Sequence, residues 1–325
     1  MASRLLVIAV CVAAVAGSVR AAERTSEPGS GMEWTPGGAW TGSDIMKRSV
    51  LGADYGLAVD LWEQGLYSNG YRVTVEAIKK ASDDPLAEDM RFIQIRFLVQ
   101  MGELIKAWDK AKDFRKLYPA SYRSADLANE EYDIGSRLAG GEKAKVLGIP
   151  LVEHKGTGLD VLTEVLERNP FGAIADKVQY RIGQYYSDEG MYLEAQYAFD
   201  QLVRNYPRSD YRKTGYYWRA ESAALQWAGP EYESSPLKEA IAGFQAFRRE
   251  YPFGDMAREA NVRVRELRGK LAHAEFIRGE FYRKKGDKAA ALVYYRAAVN
   301  SLGETVYAAR AADRIKDITG RRPQL

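Results

Sequence analysis

The feature that most constrains the fold is a spacing of small and aromatic residues that occurs twice. Residues 176–209 read DKVQYRIGQYYSDEGMYLEAQYAFDQLVRNYPRS. The positions that define the spacing are Ile182, Gly183, Tyr186, Ala195, Phe199 and Pro207. The spacing returns 96 residues later at Gly279, Tyr282, Ala291 and Tyr295, with Gly303 in place of the proline. Because both matches share one register, they indicate a repeated structural unit.

This spacing is that of the tetratricopeptide repeat, a hairpin of two antiparallel helices. It predicts that Gly183 and Ala195 lie where the helices come closest, and that Tyr186 and Phe199 fill the space beside them. Pro207 should end the second helix, since proline has no N–H to donate. Such a hairpin buries its apolar side only against the next one. We therefore predict an all-α fold, a tetratricopeptide-repeat superhelix (α-solenoid) of about five helical hairpins.

The N-terminal residues are typical of an exported protein. Residues 1–21 combine a charged start at Arg4, an apolar stretch and a small-residue cleavage site, which predicts a signal peptide. Cys11 is interpreted as a core residue of this signal, with lipid modification as the open alternative. Residues 22–50, rich in Gly, Pro and Ser, are expected to form an extended leader. No later segment has the roughly 18 apolar residues of a membrane span, so we expect the exported chain to be peripheral to the membrane at most.

From residue 51 onwards the apolar pattern is helical and predicts a repeat array over residues 51–320. Its second helices end where an aromatic residue or asparagine precedes proline: Tyr118-Pro119, Asn169-Pro170, Tyr206-Pro207 and Tyr251-Pro252. These marks are farther apart than the roughly 34 residues of one unit, which predicts insertions within residues 140–158 and 229–236. In the first hairpin, residues 68–70 should break the helix. The predicted hairpins lie near 51–85, 87–119, 120–170, 176–209, 210–252 and 258–319.

The C-terminal part of the chain resembles a known family. The stretch LRGKLAHAEFIRGEFYRKKGDKAAALVYYRAAV and the helix ends LVRNYPRSDY and FRREYPFGDMA are similar to the outer-membrane assembly lipoprotein family BamD. The family's histidine before the matching glutamate is Ala274 here, and its turn tyrosine is Lys288. The matching positions are Leu271, Ala272, Glu275, Tyr282, Gly286, Ala290 and Ala291.

The resemblance implies a scaffold at the periplasmic face of the outer membrane. The family consists of tetratricopeptide hairpins behind an export signal, contacts the barrel-forming insertase and helps deliver unfolded outer-membrane proteins. It thus implies other envelope proteins as partners, among them a β-barrel insertase and unfolded outer-membrane proteins. The alternative is a periplasmic repeat scaffold that coordinates cell-envelope constriction or wall synthesis, since GYYWRAESA at 215–223 resembles a helix of such proteins. Those proteins usually begin with a coiled coil, whereas residues 22–50 have no heptads.

The sequence contains no pattern that indicates catalysis or a cofactor. The two histidines, His154 and His273, are far apart and lack metal-ligand spacing. Residues 156–158 lack the third glycine and the preceding strand of a dinucleotide loop. The net charge of +3 indicates no nucleic-acid partner. We therefore expect a binding protein that is not an enzyme and has no cofactor or metal; a wall-polymer enzyme is the third alternative.

The concave side of such a superhelix is lined by the first helix of each hairpin, at register positions two, five and nine. Aromatic residues flanked by charges at these positions suit an extended peptide. The alternative is that the same rings pack between neighbouring repeats. The predicted groove residues are Asp89, Phe92, Arg96, Lys177, Tyr180, Gln184, Tyr211, Thr214, Trp218, His273, Phe276 and Glu280.

Overall fold

The computed structural model describes residues 33–34, 40–41, 49–146, 149–301, 305–321 and 323. The predicted signal peptide with Cys11, and nearly all of the predicted leader, lie outside these residues. In the part described, the chain forms thirteen helices and two small two-stranded sheets. Strand β1 (Glu33–Trp34) pairs antiparallel with β2 (Trp40–Thr41) in the leader. The fold is an all-α tetratricopeptide-repeat solenoid.

The helices form six hairpins and one closing helix. The expected number of about five hairpins is one too few. Helix α13 (Val306–Thr319) packs against both helices of the last hairpin. The hairpins are α1 (Gly52–Glu63) with α2 (Tyr67–Lys80), α3 (Ala87–Met101) with α4 (Leu104–Leu117), α5 (Ser124–Ala139) with α6 (Lys155–Arg168), α7 (Ala175–Asp188) with α8 (Tyr192–Asn205), α9 (Arg212–Leu225) with α10 (Ser235–Glu250), and α11 (Asp255–Lys284) with α12 (Lys288–Ser301).

Each hairpin shares its apolar core with the next helix along the chain. The cluster around Phe97 joins α1, α2 and α3, and the cluster around Phe114 joins α3, α4 and α5. Phe244 lies in a cluster common to α9, α10 and α11, and Tyr295 in one common to α11, α12 and α13. Because no hairpin buries its apolar side alone, packing energy is distributed along the array.

The two glycines of the repeated spacing lie against aromatic rings of the partner helix. A Cβ added to Gly183 would be 2.6 Å from the Phe199 ring, and one added to Gly279 would be 2.5 Å from the Tyr295 ring. Ala195 is fully buried in the same core. Since any side chain would overlap the ring, glycine sets how closely the two helices approach.

Two kinds of turn connect the helices. Within a hairpin the chain turns through a glycine in the left-handed region, as at Gly190 with φ 73° and Gly286 with φ 83°. Between hairpins the second helix ends just before a proline, as at Pro207, because proline cannot donate the next helical hydrogen bond. In the third and fifth hairpins, longer connections replace the glycine turn, at residues 140–154 and 226–234.

A β-hairpin occupies the first of these connections, where a loop was expected. Strand β3 (Lys143–Val146) pairs antiparallel with β4 (Ile149–Glu153). Helix α6 then begins at Lys155, so Gly158 is helical rather than part of the insertion. A Cβ added to Gly158 would be 2.2 Å from the backbone nitrogen of Ala139. This glycine is therefore required by the close crossing of α5 and α6.

The first hairpin turns earlier than predicted. The break expected at residues 68–70 lies inside α2, and residues 64–66 make the turn, with Gly65 at φ 70°. Gly70 lies within the helix, and a glycine is needed there because an added Cβ would be 2.2 Å from the Phe97 ring. This glycine marks a close contact between helices, which the sequence pattern alone does not distinguish from a turn.

Candidate functional site

The predicted groove residues lie on the first helices of the hairpins, and most of them contact the neighbouring first helix. At the N-terminal end, Arg96 joins three helices. Its guanidinium lies 4.2 Å from the centre of the Trp62 ring in α1. Its Nε donates to Glu130 Oε1 of α5 at 3.1 Å. Arg96 is thus engaged on both sides.

A buried ion pair holds the start of α5 against α3. Arg123 Nε and Tyr122 Oη both donate to Asp89 Oδ1 at 2.5 Å. The Arg123 guanidinium also lies 4.8 Å from the centre of the Phe92 ring. Burial and the hydrogen bond to Asp89 raise the pKa of the Tyr122 phenol, so its proton stays in this bond. Asp89 and Phe92, predicted to line the groove, are therefore buried in internal packing.

In the middle of the array, contacts between first helices are aromatic. Lys177 Nζ of α7 lies 4.1 Å from the centre of the Tyr132 ring of α5. Tyr180 stacks on Tyr211 with ring centres 4.9 Å apart, and its hydroxyl accepts a hydrogen bond from Gln184 Nε2 at 3.3 Å. Burial, with Tyr211 adjacent, raises the pKa of Tyr180. These rings form a side-by-side contact between α7 and the start of α9.

Trp218 of α9 is the most accessible of the predicted groove aromatics. It stacks on Phe199 with ring centres 6.5 Å apart and leaves 36% of its surface exposed. Leu225, two turns further along the same helical face, is similarly exposed. Between them, Glu221 Oε2 accepts a hydrogen bond from Arg263 Nε of α11 at 2.9 Å. The α9 face therefore presents two apolar side chains beside an ion pair, while Thr214 is half-buried.

At the C-terminal end, α13 covers the predicted groove residues of α11. His273 stacks on Tyr307 of α13 with ring centres 3.9 Å apart and an interplanar angle of 14°. Phe276 is buried, with its ring centre 5.9 Å from those of both Tyr295 and Tyr307. Helix α13 thus packs where the first helix of a further hairpin would lie, and it removes Phe276 from any open groove.

Glu280 links the last three helices. It accepts hydrogen bonds from Tyr295 Oη at 2.6 Å, Arg314 Nε at 2.8 Å and Arg283 Nη2 at 2.8 Å. Burial acts to raise the pKa of this carboxyl, but the bonds from the two arginines and the tyrosine outweigh it and lower the pKa to about 2. With three donors already bound, Glu280 stabilises the end of the array.

A charge network that the sequence did not reveal lies beside a cleft of about 700 Å³. Glu131 of α5 is fully buried and bonds to both Arg115 and Arg168, which line the cleft. Arg115 also bonds to Glu164. Burial lowers the pKa of both arginines. These residues come from three helices and follow no motif, so no spacing could have grouped them.

The remaining candidates for chemistry lie apart from one another. His154 precedes α6, whereas His273 is in the middle of α11. Across the described segments, no three His, Cys, Asp or Glu side chains are grouped to hold a metal ion. Among the helices of those segments, none is both long and apolar enough to cross a membrane. The described surface offers rings, cations and carboxylates, the groups that recognise other macromolecules.

Comparison with known families identifies the protein family to which this helical repeat array belongs. The family model YfiO, described as outer membrane lipoprotein, matches residues 156–318. The matched residues are half of the chain and run from α6 into α13. The chain belongs to the YfiO outer membrane lipoprotein family. Of the six hairpins in this YfiO-family chain, the first two lie outside the matched residues.

Solved structures similar to this YfiO-family chain include tetratricopeptide proteins. One from Parabacteroides merdae is 14% identical, with 86% of this chain and 100% of that chain covered and a TM-score of 0.40. The C-terminal part of one from Cytophaga hutchinsonii is 15% identical, with 84% and 93% covered and a TM-score of 0.41. The TPR2AB domain of yeast Sti1, in complex with pHSP90, is 14% identical, with 86% and 98% covered and a TM-score of 0.33. No curated protein matches the chain.

Proposed function

We propose that this chain is an exported protein-binding scaffold at the periplasmic face of the outer membrane, where it acts in the assembly of β-barrel proteins. The observation that carries the proposal is the family match over residues 156–318, which spans three complete hairpins and most of the closing helix. The scaffold binds a β-barrel insertase and unfolded outer-membrane proteins, and it acts by recognition rather than by catalysis.

The contacts between first helices support this role because they make the binding surface rigid. Ion and ring contacts hold α3 against α5, α5 against α7, and α7 against α9. A surface that is ordered before binding loses little conformational entropy when a partner docks. The accessible side chains on α9 are therefore presented at fixed positions.

Trp218 is the residue we expect to contact the partner. A partly exposed tryptophan beside a second apolar side chain is the type of group that forms binding hot spots. Glu221 and Arg263, joined next to it, offer hydrogen-bonding groups for a peptide backbone. The partner that fits is an extended segment with an apolar side chain that reaches Trp218 and Leu225.

The proposal is tested by recovering partners from a fractionated envelope with the tagged chain. We expect an insertase subunit in the eluate, and about tenfold less of it with Trp218→Ala, as is usual for hot-spot tryptophans. Tyr197→Ala is the matched control, because this exposed ring lies on a second helix, α8. Recovery of constriction or wall-synthesis proteins instead would favour the alternative scaffold. Recovery of neither would contradict an assembly role and leave the fold unaffected.

A further inference from the structure

In the described part of the chain, five turns join successive hairpins, and the last four lie at the same end of their hairpins, along one edge of the array. We call residues 118–123, 169–174, 206–211 and 251–254 the turn edge. Tyr206 Oη donates to the Pro170 carbonyl at 2.7 Å. Arg212 Nη1 donates to Tyr251 Oη at 2.6 Å and to Glu250 Oε1 at 2.9 Å. These bonds tie the last three turns to one another.

Two phenylalanines project from this edge. Phe171 is 84% exposed and Phe253 is 85% exposed, and each directly follows a proline. Among large apolar side chains of the described residues, the next most exposed is Val306 at 70%. Exposure of this degree leaves each ring almost without contacts inside the protein, so neither ring adds appreciably to the core.

The fold does not require a ring at position 171. In the turns beginning at Tyr118, Asn169 and Tyr206, the backbone N–H three residues later donates to the carbonyl of the first residue at 3.1 Å. The residue after the proline in these three equivalent turns is Ala120, Phe171 and Arg208 respectively. Since alanine and arginine occupy the same place, Phe171 must be explained by something outside the turn.

The turn edge is also cationic around these rings. Residues 166–176, 204–213 and 248–258 together contain eight Arg or Lys and five Asp or Glu. Of the eight cations, four pair with no carboxylate of the described residues: Arg208, Lys213, Arg248 and Arg249. Arg212 pairs with Glu250. The Lys213 ammonium lies 5.9 Å from the centre of the Tyr251 ring, beside the turn that carries Phe253. An anionic surface would complement this charge.

We propose that the turn edge docks on an anionic phospholipid surface. Phe171 and Phe253 insert among the headgroups, and the unpaired cations near them lie at the phosphates. Exposed apolar rings combined with Lys and Arg are the pattern by which proteins bind a membrane surface. Rings on separate turn tips suit a fluid layer, because a protein partner would need two pockets at a matching separation. This contact goes beyond the proposed function and uses none of the side chains on the α9 face.

The test measures sedimentation of the exported form, from Ala22 onwards, with phospholipid vesicles. We expect binding to phosphatidylethanolamine vesicles that contain phosphatidylglycerol, little binding to phosphatidylcholine vesicles, and weakening by salt. Phe171→Ala and Phe253→Ala should each weaken binding about tenfold, in proportion to the apolar area withdrawn from the layer. Ala120→Phe, which places a third ring in an equivalent turn, should strengthen it by a similar factor.

Phe281→Ala is the matched control, because this half-exposed ring lies near the opposite end of α11 from Phe253. It should leave vesicle binding unchanged. Thermal unfolding should be the same for Phe171→Ala and the parent, since alanine already occupies the equivalent position 120. The proposal is wrong if the parent does not bind anionic vesicles or if the double alanine variant binds them as the parent does. It is equally wrong if the two rings are needed for recovery of a protein partner but not for vesicle binding. None of these results tests the proposed insertase binding by the α9 face.

Discussion

The two halves of the array are held together by different interactions. Between α1 and α6, buried ions join the hairpins, as where Asp89 meets Arg123 and where Glu131 meets two arginines. Between α7 and α13, stacked rings join α7 to α9 and α11 to α13, as where Tyr180 meets Tyr211 and His273 meets Tyr307. An ion pair, Glu221 with Arg263, joins α9 to α11. The YfiO family model covers the second half and, of the first, only α6.

The two halves also differ in the balance of acidic and basic side chains. Residues 49–168 contain 20 acidic and 16 basic side chains, whereas residues 175–319 contain 20 and 24. A buried ion depends on one specific partner, because removing that partner leaves an uncompensated charge. A packed ring depends instead on the volume of its neighbours. The ion pairs of the first half should therefore be sensitive to changes of charge, and the ring contacts of the second half to changes of volume.

The largest effect is expected from Glu131→Gln. This substitution removes the buried charge that separates Arg115 from Arg168, so only the partly exposed Glu164 is left to compensate the two guanidinium groups. We expect the free energy of unfolding to fall by about 3 kcal/mol in urea titrations. Glu164→Gln is the control, since the Glu164 side chain is 41% exposed and its replacement should cost less than about 1 kcal/mol. Equal losses for the two variants would contradict the distinction between buried and surface ions.

Gly183→Ala tests whether the second half is limited by volume. The new methyl group would be 2.6 Å from the Phe199 ring and must push the two helices apart. We expect a loss of about 1 to 3 kcal/mol in the free energy of unfolding. Combining it with Phe199→Leu should cost less than the sum of the single changes, because the smaller side chain makes room. Additive losses would show that the ring and the glycine do not compete for the same space.

Glu280→Gln tests a charge cluster of the second half. The pKa of Glu280 is lowered to about 2 from 4.5, so its contribution to stability is complete above pH 4.5 and is lost as the pH falls toward 2. At pH 7 we expect the variant to be about 1 to 2 kcal/mol less stable than the parent, a value reduced by partial solvent screening. The difference should shrink between pH 4.5 and pH 2. A difference that stayed constant over this range would exclude the proposed cause.

The smallest effect is expected from Gly56→Ala in α1, and it has the opposite sign. No atom lies within 4 Å of an added Cβ at this helical position, in contrast to Gly183. Alanine should therefore raise the free energy of unfolding by about 0.5 to 1 kcal/mol, since it restricts the unfolded chain. Thermal unfolding of the two glycine variants side by side would show the contrast. A loss of stability at Gly56 would mean that the first hairpin has a neighbour outside the described residues.

Much of the fold could be read from the sequence because it depends on short-range patterns. The spacing around Gly183 and Gly279 predicted a helical repeat, and the structure is a tetratricopeptide solenoid. The prolines marked the ends of second helices, since the missing N–H acts locally. The β-hairpin at residues 143–153 and the turn at Gly65 were not predicted. In both places a glycine pattern permitted either a turn or a close contact, and only packing distinguishes them.

The candidate site was less predictable. The repeat register correctly assigned the candidate residues to the first helices, but it did not predict their exposure. Phe92 and Phe276 are buried, and the Glu280 carboxylate already accepts hydrogen bonds from neighbouring side chains. The exposed Phe171 and Phe253 were overlooked, although each follows one of the prolines used to mark helix ends. Their only signal in the sequence was a phenylalanine where the equivalent turns have alanine or arginine.

By itself, the sequence determined that the chain is helical, that it repeats, and where most hairpins end. These properties depend on residues within one repeat, so periodicity and the backbone chemistry of glycine and proline are sufficient. The tertiary structure alone decided which rings and charges remain accessible. Accessibility depends on contacts between helices more than thirty residues apart, such as Arg96 with Glu130 and His273 with Tyr307. No local pattern contains that information, because each contact is made only when neighbouring hairpins stack.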